Sequence, residues 1–355
     1  MFNPKIICTI GPTSESKEVL LDLKRCGVDV VRVNMSHAKI DDLQRYFEIT
    51  KSIDLELGID TEGAQIRTKT LNGKKISINK KSNLKIFRKL QNNLNTPNIS
   101  LSPNILFSLI RKGSLIRLDF NGALVKVIDI KENYIECECI NEGIVGNNKG
   151  VDVLNQLIEL PDFSEKDIKA LELGRSLGIK EIFISFCKSK KAIQKVKSII
   201  PNSIVTSKIE SKYSIHNLIE ICEYSDAILI DRGDLTREIN IMDIPFAQRG
   251  IIKVAKEKNI PCYVATNVLE SLIEGNLPTR AELNDIVSTI EMGAEGIVLA
   301  AETAIGKKPI LCAEIVRELI HRYELHKNQL LFADLDRNEI TDKEMKLWLN
   351  RQNKY

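Results

Sequence analysis

Short apolar segments alternate with longer amphipathic segments along most of the chain, as expected for alternating strands and helices. The first part of the chain predicts three strands and two helices before this rhythm stops. Glycine after a helical pattern indicates a helix end, which places the end of the first helix at Gly27. The predicted elements are strand Lys5–Ile10, helix Glu15–Cys26, strand Val28–Val33, helix Asp41–Leu57 and strand Gly58–Thr61.

From residue 67 to residue 159 the chain is rich in Asn, Lys, Gly, Val and Ile, and apolar residues alternate with polar ones. Tyr134–Ile140 is one such segment. Alternation with a period of two is typical of half-buried strands. We therefore expect residues 67–159 to form a small inserted β-domain.

The strand and helix rhythm resumes after Leu160. Ser164–Leu177 predicts a helix capped by Ser164, with acidic residues in its first turn. Eight strand–helix units with an excursion after the third predict an α/β fold, a TIM (β/α)8 barrel with a small β-barrel-like domain inserted after strand 3. A doubly wound sheet is the alternative, but no Gly-x-Gly-x-x-Gly follows the first strand. The five later strands are predicted at Glu181–Ser185, Ile204–Ser207, Ala227–Ile230, Cys262–Ala265 and Gly296–Leu299.

The composition narrows the range of partners. The 355 residues include 51 basic and 48 acidic side chains, a net charge of +3, and no run of five basic residues, which predicts no nucleic-acid partner. No stretch of about 18 apolar residues and no signal-peptide pattern is present, so we expect no membrane partner and a cytoplasmic location. The eight cysteines are scattered without a Cys-x-x-Cys pair, which predicts reduced thiols.

Polar residues follow the predicted strands at the end where TIM barrels build their active sites. Arg32, Asn34 and Ser36 are spaced by two, so an extended chain turns them to one face. Lys208 and Glu210 share a face in the same way at strand five. The other strand ends carry Asp60-Thr61, Asp231-Arg232-Gly233-Asp234, Ala265-Thr266-Asn267 and Ala300-Ala301-Glu302-Thr303.

These residue types suit a phosphorylated acid bound beside a metal ion. The carboxylates of Glu210 and Asp234 are ligands that Mg²⁺ prefers. Arg32 and Lys208 suit the negative charge of a phosphate. The amides of Gly233 and Asp234 suit a carboxylate. Metal, phosphate and carboxylate together indicate a phosphorylated α-keto or enol acid.

An ordered set of motifs from Lys5 to about Lys327 resembles the pyruvate kinase family. Each motif alone is moderate evidence, and their order along the chain is what makes the resemblance specific. The motifs are Lys5–Pro12 (KIICTIGP), Arg32–His37 (RVNMSH), Asp60–Thr68 (DTEGAQIRT), Leu160–Asp167 (LPDFSEKD), Ser207–Glu210 (SKIE), Arg232–Leu235 (RGDL), Ala265–Ser271 (ATNVLES) and Pro278–Glu282 (PTRAE).

The resemblance implies a phosphotransferase that moves a phosphoryl group between phosphoenolpyruvate, or a related enol or hydroxy acid, and ADP or ATP. It implies that Arg32 and Lys208 stabilise the transferred group and that Thr266 lies beside the enolate carbon, with the Gly233 and Asp234 amides holding the carboxylate. The inserted domain would close as a lid. The remaining implied sites are Mg²⁺ or Mn²⁺ at Glu210 and Asp234, K⁺ at Asn34, Ser36, Asp60 and Thr61, and the adenine nucleotide at His37, Arg67, Asn34 and Lys149.

Several residues depart from the family pattern. Asp231 stands where the family has a small uncharged residue, and it should repel an anionic substrate unless it is turned away or paired. Gln65 replaces the Glu of K⁺-dependent members, which argues against K⁺ dependence. Ala300 replaces a serine thought to relay a proton to the enolate, which puts pyruvate formation in question. Other departures are Asn267, Ala301, Asn147–Asp152 and Asp119–Gly122.

The domain prediction follows from the same resemblance. Residues 1–66 and 160–327 form the barrel, residues 67–159 the lid, and residues 328–355 a short tail. That tail is too short for the family's carboxy-terminal domain, which carries an effector site and part of the tetramer contacts. We therefore expect no effector-regulated tetramer, and a homodimer through the barrel domain stays open.

Three functions fit these residues. The first is a phosphotransferase of the kind just described. The second is a metal-dependent enolate lyase or aldolase that uses the same site without a nucleotide, for which the altered lid and Ala300 are suited. The third is a catalytically impaired binding protein, which the retained charged residues argue against because buried charge is costly to keep folded.

Overall fold

Two structural units account for the described part of the chain. The structure, a computed structural model, describes residues 4–91, 98–103, 106–119, 122–156 and 160–326. One unit comprises the chain up to Gly63 and again from Phe163, and the other comprises Ala64–Asp162. The predicted tail, residues 328–355, and the Phe120-Asn121 part of the Asp119–Gly122 motif lie outside the described residues.

The strands are, in chain order, β1 Lys5–Ile10, β2 Val30–Asn34, β3 Glu56–Asp60, β4 Arg67–Thr70, β5 Ile76–Ile78, β6 Asn83–Phe87, β7 Asn98–Ser102, β8 Leu115–Leu118, β9 Ala123–Ile130, β10 Tyr134–Asn141, β11 Gly143–Val145, β12 Val151–Val153, β13 Glu181–Ile184, β14 Ile204–Ile209, β15 Ala227–Asp231, β16 Cys262–Ala265 and β17 Gly296–Leu299. The helices are α1 Lys17–Arg25, α2 Ile40–Ser52, α3 Leu106–Leu109, α4 Glu165–Leu177, α5 Lys190–Ile199, α6 Lys212–His216, α7 Leu218–Tyr224, α8 Arg232–Leu235, α9 Ile244–Glu257, α10 Glu270–Ile273, α11 Arg280–Met292, α12 Ala301–Ala304 and α13 Pro309–His326.

The first unit is a closed barrel of parallel strands in the order β1-β2-β3-β13-β14-β15-β16-β17, with β17 paired back to β1. This confirms the predicted TIM barrel, and the doubly wound alternative is wrong. Strands enclosed on both faces need apolar residues throughout, which explains why they appear in the sequence as continuous apolar runs. A cluster that includes Ile7, Phe183 and Leu229 fills the inside, and alternate residues such as Ile6 and Ile228 pack under the helices.

Helix caps agree with the sequence signals. The Ser164 hydroxyl accepts the Asp167 amide hydrogen at the start of α4 over 3.1 Å, as predicted. The fully buried Asp167 carboxylate accepts in return from the Ser164 amide, and also from the amides of Glu62 and Gly63 at the end of β3. One side chain therefore fixes the start of α4 and the chain that follows β3.

The predicted helix Asp41–Leu57 is too long at its C-terminal end. Helix α2 stops at Ser52, Asp54 turns with φ +52°, and β3 begins at Glu56. The predicted end is wrong because apolar residues continue beyond the helix, and their spacing would also fit the buried face of a longer helix. Strand β14 in turn runs two residues further than predicted, so Lys208 lies within a strand.

The second unit is a mixed sheet in the order β12-β8-β9-β10-β6-β7-β4, with a separate β5–β11 pair. Its two edge strands approach each other: the Val151 amide donates to the Ile66 carbonyl over 2.9 Å, and Arg67 pairs with Gly150. The sheet thus curls until its edges meet around its own apolar core. This accords with the predicted β-barrel-like insertion.

All eight cysteines are free thiols, and each is buried except Cys26, which is partly buried. None of the described helices has the length and apolar character that crossing a membrane requires.

A close backbone approach at the end of β1 gives a test of the barrel. Gly11→Ala should destabilise the barrel by about 1–3 kcal/mol, because the added Cβ would lie 2.4 Å from the Ala304 carbonyl oxygen and backbone would have to shift. Thermal denaturation followed by circular dichroism measures the effect.

The matched control is Gly250→Ala, at an exposed position in α9 where nothing lies within 4 Å of an added Cβ. Alanine favours a helix over glycine by about 0.5–1 kcal/mol, so this variant should melt slightly above the wild type. Melting of Gly11→Ala at or above the wild-type temperature would contradict the prediction.

Candidate active site

The carboxyl ends of the barrel strands bring together the residues predicted to act on the phosphoryl group and to bind the divalent cation. Parallel pairing places the end of β2 beside the end of β3 and the end of β15 beside the end of β16, as in the register pairs Asn34–Asp60 and Asp231–Ala265. The polar residues that converge there are Arg32, Asp60, Ser185, Lys208, Glu210, Asp231, Asp234 and Thr266.

Asp60 is the centre of this group. Its fully buried carboxylate lies 3.0 Å from Arg32 Nη1 through one oxygen and accepts from Lys208 Nζ over 2.9 Å through the other. Arg32 is held further by a hydrogen bond to Thr9 Oγ1 and by the Phe183 ring, 5.5 Å from its guanidinium. One carboxylate therefore fixes the two cations predicted for a phosphoryl group.

Lys208 is surrounded by oxygen atoms. Besides Asp60, its ammonium donates to Ser185 Oγ over 2.9 Å and lies 3.0 Å from Glu210 Oε1. Burial acts to lower the pKa of Lys208, but the carboxylates of Asp60 and Glu210 outweigh it and raise the pKa above its usual value. The side chain is thus a permanent positive charge at any ordinary pH.

Ser185 is a site residue that our sequence reasoning missed. It follows β13, and its hydroxyl also lies 3.3 Å from Asp60 Oδ1 and donates to the Thr61 carbonyl. The sequence does contain a signal, since Ser185 ends the predicted fourth strand with a polar side chain, at the end of the barrel where TIM barrels build active sites.

Glu210 is fully buried and held by the backbone. Its Oε2 accepts the Phe186 amide hydrogen over 2.7 Å, whereas its Oε1 receives no hydrogen bond from the described residues. Burial raises the pKa of Glu210 to about 8, with Lys208 opposing the shift and Asp234 and Asp231 adding to it. Its Oε1 lies 3.0 Å from the Lys208 ammonium and is a buried carboxylate oxygen of the kind that hard cations prefer as a ligand.

Three carboxylates form a compact group here. One oxygen each from Glu210, Asp231 and Asp234 lies within 4.8 Å of the other two. Burial and the Asp231 charge raise the pKa of Asp234, against the opposing effects of Lys208 and Arg237. The oxygen donors and their convergence fit a divalent cation such as Mg²⁺ or Mn²⁺.

Asp231 is not turned away from this group, and it is paired. Its Oδ1 accepts the Asp234 amide hydrogen over 3.3 Å and lies 3.1 Å from Thr266 Oγ1. The Gly233 amide donates to Thr266 Oγ1 over 2.8 Å. The donors that the sequence assigned to a ligand carboxylate are therefore in contact with protein oxygens.

The loop after β16 has an unusual backbone held by Glu302. Thr266 and Asn267 have φ of +69° and +53°, in the left-handed region that few side chains adopt. The buried Glu302 carboxylate accepts from the amides of Val268 and Leu269, and its second oxygen accepts from Ala300. This clamp keeps the Thr266 hydroxyl beside Asp231.

The residues predicted to bind K⁺ make mostly local contacts. Asn34 Oδ1 accepts the Ser36 amide hydrogen over 2.9 Å, and Thr61 Oγ1 accepts the Ser185 amide hydrogen over 3.0 Å. The backbone amide of His37 donates to the Asn34 carbonyl in the same turn. A monovalent cation and a nucleotide at these residues stay predictions.

Arg67 and Lys149 lie in the second unit, where they are neighbours. Arg67 Nη1 donates to the Asn148 carbonyl, and the Lys149 amide donates to Thr68 Oγ1 over 2.9 Å. In the same unit Gln65 Oε1 is buried without a hydrogen bond from the described residues.

Comparison with known proteins agrees with this geometry. Residues 1–313 match the family described as pyruvate kinase, barrel domain. A pyruvate kinase of Chlamydia muridarum (strain MoPn / Nigg) is 31% identical over 343 residues, covering 94% of this chain and 71% of the relative. One from Agrobacterium vitis is 29% identical over 330 residues, covering 91% and 70%. One from Bacillus licheniformis is 31% identical over 349 residues, covering 94% and 59%.

The raised pKa of Glu210 predicts how stability depends on pH without metal. Between the ordinary pKa of 4.5 and about 8, the native protein holds a proton that the unfolded chain has lost. The free energy of unfolding should therefore fall as pH rises through this window, by at most about 1.4 kcal/mol per pH unit from this group. Urea denaturation in EDTA at several pH values measures it.

Glu210→Gln is the control, because it keeps the shape of the side chain and cannot ionise. Its unfolding free energy should fall less steeply with pH than that of the wild type over the same range. Parallel curves for the two proteins would show that Glu210 ionises normally in the folded state.

Proposed function

Because the chain belongs to the pyruvate kinase family, we propose that it transfers a phosphoryl group between phosphoenolpyruvate, or a related enol or hydroxy acid, and ADP or ATP. The observation that carries the proposal is the position of Lys208. Its ammonium lies beside a group of three carboxylates suited to a divalent cation, at the end of the barrel where TIM barrels build active sites.

Arg32 and Lys208 would neutralise charge on the transferred phosphoryl group. Phosphoryl transfer depends mainly on positioning and electrostatic stabilisation, and both cations are already fixed by Asp60 before any ligand binds. Arg32 suits a phosphate as a planar fork and Lys208 as a point charge. Neither side chain would need to reorganise during the reaction.

Glu210 and Asp234 would hold Mg²⁺ or Mn²⁺, with Asp231 close enough to join them. When bound, the cation would supply positive charge to the phosphoryl oxygens and to a developing enolate. Glu210 is prepared for this role because its other oxygen is fixed by the Phe186 amide. Thr266 would face the reacting carbon, since Glu302 fixes its loop.

The remaining sites are proposed from the family resemblance. K⁺ would bind at Asn34, Ser36, Asp60 and Thr61, although the engaged Asp60 leaves little negative charge for it. The nucleotide would contact the residues that the resemblance names, which are His37, Asn34, Arg67 and Lys149. A homodimer through the barrel is part of the same proposal.

A metal-dependent lyase or aldolase without a nucleotide is the second candidate. It is favoured by Ala300, which offers only its backbone amide to Glu302 and has no hydroxyl to relay a proton. In such a reaction, the proton that Ala300 cannot relay would have to come from another group.

A coupled assay tests the phosphotransferase. Pyruvate release from phosphoenolpyruvate and ADP with Mg²⁺ should be detectable, with and without K⁺, and should cease when EDTA removes the metal. Lys208→Met should lower the rate by about a hundredfold or more, because it removes a preorganised charge from the phosphoryl site.

Lys212→Met is the matched control, since Lys212 is exposed on α6 and removing its charge should leave the rate unchanged. Equal rates for the wild type and Lys208→Met would exclude the standard reaction. Metal-dependent turnover of phosphoenolpyruvate or pyruvate without nucleotide would then support the lyase, and binding without turnover would support the impaired protein.

A further inference from the structure

The Asp231 carboxylate contacts the donors that a ligand carboxylate would use. The Asp234 amide donates to Asp231 Oδ1 over 3.3 Å, and Thr266 Oγ1 lies 3.1 Å from the same oxygen. The Gly233 amide donates to Thr266 Oγ1. A ligand carboxylate that enters here must therefore displace a protein carboxylate of the same charge or remain beside it.

Asp231 is held in this position. It is the last residue of β15 and pairs with Ala265 of β16, which fixes its backbone in the barrel. Its side chain caps the short helix α8 and is only 6% exposed. Because water reaches it poorly, repulsion between Asp231 and a second carboxylate is weakly screened.

The same carboxylate also extends the cation site. One oxygen of Asp231 lies within 4.8 Å of ligand oxygens on Glu210 and Asp234. The buried Glu210 Oε1 receives no hydrogen bond from the described residues and lies 3.0 Å from the Lys208 ammonium, so this oxygen already faces positive charge. An added negative charge at this distance strengthens cation binding for the same reason that it opposes an anion.

We propose that Asp231 is a specificity-determining residue, which strengthens binding of the divalent cation and weakens binding of a ligand carboxylate beside it. The proposal rests on the metal-dependent phosphoryl site proposed above. The proposal names a ligand class, which is phosphorylated compounds without a carboxylate next to the phosphoryl-bearing carbon. Asp231 shifts the preference of the site away from phosphoenolpyruvate and toward these compounds.

Two variants separate charge from hydrogen bonding. Asp231→Asn removes the charge but keeps an oxygen that accepts from the same donors, whereas Asp231→Ala removes both. The full chain is titrated with Mn²⁺ alone, followed by electron paramagnetic resonance. At saturating Mn²⁺ it is then titrated in a calorimeter with phosphoenolpyruvate or with inorganic phosphate, neither of which requires turnover.

The two affinities should move in opposite directions. Mn²⁺ should bind about tenfold more weakly to both variants, the size of effect typical of a lost partner at a metal site. Phosphoenolpyruvate should bind about tenfold more tightly to Asp231→Ala, since a charge-assisted hydrogen bond becomes available to its carboxylate. Asp231→Asn should gain less, and inorganic phosphate should change much less than phosphoenolpyruvate in both variants.

A merely structural role for Asp231 would weaken both ligands together, so weaker phosphoenolpyruvate binding or unchanged affinities in Asp231→Ala would overturn the proposal. Asp231→Asn provides the same test of Mn²⁺ if the alanine variant does not fold. If the variants show the two opposite shifts in affinity but the wild type shows no phosphotransferase turnover, only the proposed function is contradicted. Normal turnover with unchanged affinities would fault only the role of Asp231.

Discussion

The ion pairs made by Asp60 are the interaction on which the candidate site depends. Burying a charge is costly unless it is paired, and here one fully buried carboxylate pairs with both Arg32 and Lys208. The three residues belong to β2, β3 and β14, which lie within four consecutive strands of the barrel and meet only when those strands pair. The fold and the charge arrangement therefore require each other, because unpaired strands would leave these charges unmatched.

Around this centre, backbone groups fix the acidic side chains before any ligand is present. The Phe186 amide orients Glu210, and the Glu302 carboxylate orients the loop that carries Thr266. The Phe186 amide engages only Oε2 of Glu210, so this hydrogen bond does not compete with a cation for Oε1. Such preorganisation is how a site stabilises developing charge without rearranging during the reaction.

The sequence predicted the barrel and most of the site for one reason: strands buried on both faces are apolar until they reach the carboxyl end, where polar residues mark the site. It failed where the same pattern has two meanings. Apolar spacing beyond Ser52 fits either a longer helix or the next strand. The partners of Asp231 could not be predicted either, because they depend on the left-handed backbone at Thr266, which no local pattern in the sequence indicates.

The hydrogen bonds of Asp167 bear on how this chain accommodates its second unit. By holding the amides of Glu62, Gly63 and Ser164, this carboxylate fixes the points where the chain leaves the barrel unit and returns to it. The entropy lost when a loop is closed rises by only about 0.6 kcal/mol for each doubling of its length. The excursion over Ala64–Asp162 is therefore, for the barrel, little different from a long loop with pinned ends. A change in the length of the insertion therefore costs the barrel itself little stability, whatever that change does to ligand contacts made by the insertion.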